Sequence, residues 1–312
     1  MTIEVSNADR VVFPEIGRTK GDVVEYYERI ASRLLPHVAG RPLSIKRYPK
    51  GLAGAGFFQK NVPKHYPPSI DRFEVPRHSR SRKDDERATT IYPVLREEEH
   101  LPYLANQGAI EIHVPTARID DLWRPDRVVI DLDPPPGKID LARRAAHVTR
   151  EAFTRFGLES VPVATGSKGY HVIAPIEPKL GFDRIAETMQ KLAALLSADH
   201  PDELTVVFRV ALRGGRVFVD WLRNNPIASA IAPYSLRARP TAPVAAPLSW
   251  NEVDTTAPDA FTIDDAARLL DRPDPLRDLE KNPGDAERLV AGVDVAFAER
   301  GLVLENFDRF RS

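Results

Sequence analysis

Apolar residues recur along the chain with two different periods, and each period predicts a type of element. Residues 19–35 carry apolar side chains every three or four positions, which is the spacing of an amphipathic helix. Thr19 can cap this helix, and Asp22 lies in its first turn. The apolar face consists of Val23, Tyr27, Ile30 and Leu34. The same periodicity predicts further helices over residues 140–156, 183–197, 263–271 and 285–299.

Short apolar runs bounded by turn residues predict the strands. These strands cover residues 43–48, 108–114, 127–132, 161–165, 170–174, 205–211 and 216–222. A tight turn over 166–169 joins one pair, and Arg213-Gly214-Gly215 joins the last pair. The stretch 236–260 is rich in proline and alanine and predicts an extended wrap or linker. Hairpins mixed with helices favour an α+β fold over a regular βαβ array.

The strand over 127–132 runs directly into two acids and three prolines. Asp131 and Asp133 are two positions apart, so both side chains point to one face of the strand. Two carboxylates this close repel each other unless a cation lies between them, which favours Mg²⁺ or Mn²⁺. The prolines end the ladder, because proline has no N–H to donate. By itself, the pattern is equally typical of a solvated strand end.

A third acid, Asp220, ends the apolar run Val217-Phe218-Val219. If the two strands lie side by side, Asp220 comes next to Asp131 and Asp133. Three carboxylates can hold two divalent ions, which clamp a triphosphate and activate a hydroxyl for in-line attack. Asp220 taken alone is more typical of an ordinary strand end.

The turn from Thr165 to His171 reads Thr-Gly-Ser-Lys-Gly-Tyr-His. Its two glycines allow close approach of the backbone to a phosphate, and its threonine, serine and lysine offer donors. The spacing of a Walker loop is missing. A simple glycine hairpin has the same composition, and histidines on strands, such as His171 and His113, are commonly structural.

Composition narrows the functional classes. The 312 residues include 42% hydrophobic and 29% charged residues, as in a globular protein. No cysteine is present, which excludes disulfides, zinc–thiolate sites and cysteine nucleophiles and fits a reducing compartment. The net charge is −1, so binding to nucleic acid would need a local basic patch. The sequence has neither a signal peptide nor a 20-residue apolar span, so no membrane association is expected.

Together, the three blocks resemble the signature motifs of the archaeo-eukaryotic primase superfamily: an hhhDhD strand, a Ser/Gly-rich turn ending in histidine, and an apolar strand ending in aspartate. More narrowly, the chain resembles the polymerase domain of bacterial ligase D and its stand-alone Prim-PolC relatives, over about residues 5 to 255. Further similar blocks are Asn7–Pro14, Gly40–Pro42, Lys46–Pro49, Phe57–Lys60, Ile231–Arg237 and Val244–Trp250. The resemblance implies an α+β primase-polymerase core, with central antiparallel or mixed sheets flanked by helices, over residues 1–255. Residues 256–312 would form a helical extension packed on or linked to that core.

The resemblance also implies roles for individual residues. The catalytic metal ligands, holding two Mn²⁺ or Mg²⁺ ions, would be Asp131, Asp133 and Asp220. The nucleotide would contact Lys46, His113, Thr165, Ser167, Lys168, His171, Arg223 and Arg237. DNA would contact Phe57, Phe58, Arg10, Lys20, Arg47, Lys60 and Arg213. Within this set, Phe57 and Phe58 would stack on template bases, and Lys20 with Arg10 would hold a 5′-phosphate across a gap or break.

Three features depart from the ligase D pattern. Thr165 replaces the usual serine but keeps the hydroxyl. Arg223 occupies a position where relatives tend to have an uncharged polar residue, so nucleotide binding or metal preference is expected to differ. The charged stretch 79–87 is longer than the matching loop, which in the family positions template and primer ends, and its default interpretation is a solvated loop.

The function implied is template-dependent nucleotide addition that fills short gaps in DNA repair, with a preference for ribonucleotides. The partners would be gapped or broken DNA with a 5′-phosphate and nucleoside triphosphates. One alternative is an end-joining polymerase that acts with a Ku-like end binder and a separate DNA ligase, and another is a de novo primase. A metal-dependent nuclease, an Asp-x-Asp glycosyltransferase and a pure binding module also remain open. The chain lacks the Lys-x-Asp-Gly ligase motif and starts with Met, so we expect a stand-alone bacterial protein, cytoplasmic and associated with the nucleoid.

Overall fold

The computed structural model describes residues 4–76 and 89–304. Its helices are α1 (Lys20–Val38), α2 (His100–Asn106), α3 (Ile139–Arg155), α4 (Phe182–Asp199), α5 (Ala266–Asp271), α6 (Pro275–Leu279) and α7 (Ala286–Glu299). Its strands are β1 (Val11–Phe13), β2 (Arg18–Thr19), β3 (Ser44–Arg47), β4 (Phe57–Gln59), β5 (Asp71–Pro76), β6 (Thr89–Val94), β7 (Ala109–Pro115), β8 (Arg127–Asp133), β9 (Val161–Ala164), β10 (Tyr170–Pro175), β11 (Leu204–Thr205), β12 (Val217–Asp220), β13 (Ser229–Ile231) and β14 (Ala246–Pro247).

Two larger sheets organise the described part of the chain. One has six strands in the order β11-β12-β8-β10-β9-β14, and the other has four in the order β13-β7-β3-β4. Strand β8 pairs antiparallel with both β10 and β12, and β11 pairs parallel with β12. Two smaller ribbons pair β1 with β2 and β5 with β6. A mixed six-stranded sheet and an antiparallel four-stranded sheet, with helices packed on them, confirm the α+β prediction.

The two faces of β8 have different neighbours. Val128, Ile130 and Leu132 join the main hydrophobic core, together with buried residues of α3 and α4. Val129, on the opposite face, packs in a separate small cluster that includes Ile173 of β10. On that second face, Val129 is followed by the two acids Asp131 and Asp133. The candidate active site begins at these acids.

Helix α1 forms as its sequence predicts. The Thr19 hydroxyl accepts from the backbone N–H of Asp22, and the Asp22 carboxylate accepts from the backbone N–H of Thr19 at 2.7 Å. This reciprocal capping box satisfies N–H groups that a helix start leaves unpaired. The predicted apolar face is buried, with Tyr27, Ile30 and Leu34 fully inaccessible.

The predicted strand over 205–211 is wrong. Only Leu204–Thr205 is a strand, and Val210–Leu212 forms a short 3₁₀ helix. The carbonyls of Val207 and Phe208 accept from the guanidinium of Arg213 at 3.1 Å, so a side chain replaces the strand ladder there. The strand predicted over 216–222 ends at Asp220, whose carboxylate accepts from the backbone N–H of Leu222, the first residue of the next 3₁₀ turn.

Residues beyond 255 contribute to the main core. Phe261, Leu269, Leu289 and Val293 are buried in the same hydrophobic cluster as the first helix and the central strands. The segment 236–260, which we expected to be an extended wrap or linker, also contributes to the core, because Ala242–Leu248 is buried throughout. The boundary placed at 255 stays a prediction. The charged stretch 79–87 lies outside the described residues, and within the described ones no helix is long and apolar enough to cross a membrane.

Candidate active site

The three predicted metal ligands lie on two paired strands. Asp131 and Asp133 end β8, and Asp220 ends β12. In the antiparallel register, Asp220 lies directly opposite Asp131 and Phe218 lies opposite Asp133. On the other side of β8, His171 of β10 is the cross-strand partner of Asp131. Directly paired side chains lie roughly 5 Å apart at their Cβ atoms, so both carboxylates share one small region.

Basic side chains neutralise these acids. Arg223 donates to Asp131 from Nη2 at 2.9 Å and from Nε at 3.1 Å, and its Nη2 lies 3.4 Å from Asp220. Asp133 has Lys168 at 2.8 Å on one oxygen and Arg213 at 2.9 Å on the other. Arg213, which we expected to contact DNA, therefore lies against the acids.

The two opposed acids differ in electrostatics. Burial opposes ionisation of Asp131, but the charges of His171 and Arg223 outweigh it and hold its pKa below the usual value. The pKa of Asp220 is raised, first by burial and then by the negative charge of Asp131, with Arg223 offsetting only part. Additional positive charge beside Asp220 would therefore be favourable.

The glycine turn joins β9 and β10, as predicted, and lies against the end of β8. The Thr165 hydroxyl donates to the carbonyl of Gly169 at 2.7 Å and closes the turn. A side chain at Gly169 would overlap the carbonyl of Leu132. Gly166 has φ +63°, a conformation that favours glycine, and a Cβ there would clash with the Arg237 side chain. This position therefore also requires glycine. The turn is thereby fixed with Lys168 directed at Asp133.

The four-stranded sheet supplies the facing wall. Lys46 on β3 lies directly opposite Glu111 on β7, and His113 follows two positions later on the same face of β7. Phe58 on β4 pairs with Lys46 in register and contacts His113 edge to face, with ring centres 5.2 Å apart. Basic and aromatic groups thus lie side by side on one surface.

Between the two sheets lies a cavity of about 410 Å³. The predicted residues that line it are His113, Asp131, Asp133, Thr165, Ser167, Lys168, His171, Arg213, Asp220, Arg223 and Arg237. Lys46 lies behind this lining, 3.8 Å from Glu111. The volume falls within the usual range of small-molecule sites, and the lining is dominated by charge.

A second cavity of about 570 Å³ adjoins the exposed aromatic residues, and Phe58, Lys60 and Trp123 help to line it. Phe57 and Phe58 are about half exposed, which is unusual for large apolar side chains. Arg47 lies over the Phe57 ring at 5.8 Å and donates to the Gln59 side chain and the Gln107 carbonyl. These contacts hold Arg47 as a support for the exposed ring.

Lys20 is buried, although it begins a helix. Its ammonium donates to the Ser6 carbonyl at 2.6 Å and to the Ser6 hydroxyl at 2.8 Å. Burial and the positive charge of Arg10 lower the pKa of Lys20. Lys20 and Arg10 lie near each other at the start of α1, where the Lys20 backbone N–H donates to the Arg10 carbonyl at 2.8 Å.

Residues 19–276 match the family model of the LigD primase-polymerase domain. The chain belongs to this family. It is 35% identical over 292 residues to the multifunctional non-homologous end joining protein LigD of Mycolicibacterium smegmatis, covering 93% of this chain and 37% of that protein. It is 30% identical over 288 residues to the bifunctional non-homologous end joining protein LigD of Bacillus subtilis, covering 91% and 45%. The solved polymerase domain of Mycobacterium tuberculosis ligase D in complex with DNA superposes with a TM-score of 0.81 and 32% identity, covering 90% of this chain and 99% of that domain.

These matches confirm the resemblance to the ligase D polymerase domain, the primase-polymerase fold and the class of DNA nucleotidyltransferase. The chain spans less than half the length of these two LigD proteins.

The site fits the divalent metal ions that a LigD polymerase domain implies, judged by donor chemistry. Three carboxylates at the ends of adjacent strands offer hard oxygen ligands. Arg223 already lies within 3.4 Å of both Asp131 and Asp220, so the point where these acids meet attracts positive charge. As the side chains lie, no three histidine, aspartate or glutamate residues in the described part of the chain are grouped to hold an ion.

Sequence reasoning missed Glu111, a buried acid that contacts the cavity-lining residues His113 and Arg237. Its carboxylate contacts His113 at 2.8 Å and lies within 4 Å of Lys46 and Arg237. The i, i+2 spacing of Glu111 and His113 on a strand was the available signal, since it is the same spacing that drew attention to Asp131 and Asp133.

Proposed function

We propose that this protein is a template-dependent polymerase of bacterial DNA repair that adds nucleotides to a primer 3′-hydroxyl at gapped or broken DNA. The observation that carries the proposal is the pairing of Asp220 with Asp131 beside Lys168, Arg213 and Arg223, in a chain of the LigD polymerase family. The named relatives are non-homologous end joining proteins, which favours an end-joining setting, the alternative left open by the sequence.

Asp131, Asp133 and Asp220 would hold two Mn²⁺ or Mg²⁺ ions. When bound, such ions neutralise phosphate charge and lower the pKa of an attacking hydroxyl. Lys168 and Arg213 would neutralise the remaining charge around Asp133 and bring the triphosphate to these acids. The in-line attack of the 3′-hydroxyl on the α-phosphate then releases pyrophosphate.

The remaining cavity residues, together with the neighbouring Lys46, would bind the incoming nucleotide. Arg237, Lys46 and Arg223 are suited to the triphosphate by charge, and Arg can contact phosphate oxygens with two donors. His113, Thr165, Ser167, Lys168 and His171 complete the contact set. A preference for ribonucleotides would need a contact to the 2′-hydroxyl, and we propose that this same wall supplies it.

Exposed Phe57 and Phe58 would stack on template bases, a contact worth roughly 1–3 kcal/mol per base and tolerant of sequence. Lys60 and Arg47 would lie along the backbone of the same strand. Lys20 and Arg10, at the start of α1, would receive the downstream 5′-phosphate. A Ku-like end binder and a separate ligase would complete repair, and the protein would act at the bacterial nucleoid in the cytoplasm, where such DNA lies.

The scope of this activity is tested by primer extension on a one-nucleotide gapped duplex. The duplex is made with and without a downstream 5′-phosphate, and each is assayed with Mn²⁺ or Mg²⁺ and with ribo- or deoxynucleotides. We expect metal-dependent addition that is stimulated by the phosphate and faster with ribonucleotides. Addition that ignores the template would contradict the proposal. A further reaction without primer distinguishes a de novo primase, which would still form product, from a polymerase, which would not.

A further inference from the structure

Glu111 is a buried carboxylate that contacts the cavity-lining residues His113 and Arg237. Its side chain is only 4% exposed. Oε2 lies 2.8 Å from Nε2 of His113, and Oε1 accepts from the backbone N–H of Ala238 at 3.0 Å. Oε1 also lies 3.7 Å from Nε of Arg237 and 3.8 Å from the ammonium of Lys46. One acid therefore touches three side chains proposed to bind the nucleotide.

Glu111 is ionised at neutral pH. Burial would raise its pKa, but His113, Arg237 and the Ala238 N–H hold it at about 2. An ionised carboxylate only accepts hydrogen bonds, so Nε2 of His113 must carry the proton of this bond. Burial lowers the pKa of His113, and the imidazole is therefore neutral, with Nδ1 left as an acceptor. The contact with Glu111 thus selects one tautomer.

The position of this acid also limits motion. Arg and Lys side chains lose rotamer entropy when they become fixed, and contact with a fixed counter-charge orders them before any ligand binds. The segment that carries Arg237 is held to Glu111 by its next residue, through the Ala238 N–H. Lys46 and His113 belong to paired strands of the same sheet. A single carboxylate therefore links β3, β7 and the segment after β13.

We propose that Glu111 is a positioning residue that sets the tautomer of His113 and the directions of Arg237 and Lys46 toward the bound nucleoside triphosphate. The proposal rests on the proposed polymerase function. Glu111 itself does not contact the reacting atoms, and it acts through its three neighbours.

The test is Glu111→Gln, which keeps the shape but removes the charge and the obligate acceptor. Asp274→Asn is the matched control, because Asp274 makes an equally buried 2.8 Å contact with His37 away from the cavity. Each protein is titrated with a fluorescent triphosphate whose α,β-bridge is methylene, so that binding is measured without turnover. Kd, nucleotide KM, kcat and Tm are compared.

We expect Glu111→Gln to raise the Kd and the KM about 10- to 100-fold, the loss typical of a charged hydrogen bond, while kcat falls less than about threefold. Asp274→Asn should lower Tm and leave the Kd unchanged. In an Arg237→Ala background, the effect of Glu111→Gln should shrink, because the two act together.

An unchanged Kd in Glu111→Gln would overturn the positioning role while leaving the polymerase intact. A loss that matches Asp274→Asn in both Tm and Kd would overturn it as well, since that pattern reports general destabilisation. If the wild-type protein binds the analogue but never extends a primer, the polymerase proposal fails and the role of Glu111 in binding stands. If it binds no triphosphate, both proposals fall.

Discussion

Asp131 and Asp220 face each other across two strands, yet their carboxylates have opposite electrostatic environments. Asp131 has His171 on one side and a two-donor contact from Arg223 on the other. Asp220 has one cation at 3.4 Å and the negative charge of Asp131 opposite. Asp131 is therefore stabilised as an anion by the folded protein, whereas Asp220 is held as an anion at a cost.

This difference predicts opposite effects on stability. In EDTA at pH 7.5, Asp131→Asn should lower the free energy of unfolding by roughly 1–3 kcal/mol, because it removes the charged partner of the Arg223 guanidinium, which makes two hydrogen bonds to Asp131. Asp220→Asn should leave that free energy unchanged or raise it, because it removes repulsion. Urea unfolding measures both, with the exposed Asp202→Asn as the control. Equal losses in the two variants would contradict the electrostatic description.

Arg223 is the residue that we expected to alter nucleotide binding or metal preference. Its guanidinium occupies the region between Asp131 and Asp220, so it competes with a divalent ion for the same oxygens. Arg223→Gln should therefore bind Mn²⁺ about tenfold more tightly without nucleotide, since about 1.4 kcal/mol of competing ion pairing is lost. Titration followed by electron paramagnetic resonance measures the affinity directly. Weaker Mn²⁺ binding in the variant would contradict this prediction and would show that Arg223 holds Asp131 and Asp220 in position for the ion.

At this scale, the sequence predicted which acids meet but not their surroundings. The alternation of apolar and acidic positions was enough to put Asp131 and Asp133 on one face, and the structure brings Asp220 opposite Asp131. Arg213 shows the limit. Its contact with Asp133 spans 80 residues of chain and depends on a 3₁₀ turn that no local pattern announced.

Among the elements, α1 and the glycine turn follow from local chemistry, while β11 does not. The capping box and the apolar stripe of α1 are contained within adjacent turns, and the two glycines of the turn satisfy local steric needs. The apolar run after Thr205 looked like a strand, but its carbonyls are used by an arginine side chain. Sequence patterns missed several short elements, because short or weakly patterned segments depend on tertiary pairing. The missed elements are strands β1, β2, β4, β5, β6, β13 and β14 and helices α2 and α6.

The start of α1 carries a prediction of its own. Lys20→Met keeps the buried stem but removes the charge, so it should weaken the preference for 5′-phosphorylated gaps about tenfold, as expected for one lost charge-assisted contact. Ser6→Ala is the control, since it removes one acceptor of Lys20 but keeps the ammonium. Extension rates on paired gapped duplexes, with and without the phosphate, give the preference. A Lys20→Met protein with the wild-type preference would remove this residue from the phosphate site.

Across the whole molecule, one core spans the predicted domain boundary. Buried residues on both sides of position 255 belong to the same cluster, and the His37–Asp274 pair links α1 to the residue that caps α6. Composition around 236–260 suggested a linker, because proline and alanine are typical of extended segments. Burial of this segment depends on the surfaces that it covers, which the sequence pattern does not contain.

Stability should fall in mild acid because histidines are buried. The pKa of His100 and that of His113 are lowered first by burial, although Glu97, Glu99 and Asp71 offset part of the effect at His100. The unfolded chain then binds protons at these positions near pH 6.5 while the folded protein does not, so stability decreases as the pH drops below that value. The fall in Tm between pH 7.5 and 5.5 should be smaller in His100→Gln by about 2 °C. An identical fall in the two proteins would exclude His100 as a source.

The three strand-end aspartates are central to the proposed template-directed nucleotide addition. The most direct measurement is single-nucleotide insertion opposite each of the four template bases, with wild type, Asp131→Asn, Asp220→Asn and the control Asp202→Asn, and with DNA affinity measured in parallel. We predict that wild type and the control insert the matching nucleotide. The two site variants should lose at least about a thousandfold in rate, the size of effect seen when a central electrostatic group is removed, while binding DNA normally. Insertion at the wild-type rate by either site variant, or insertion that does not follow the template base, would contradict the account.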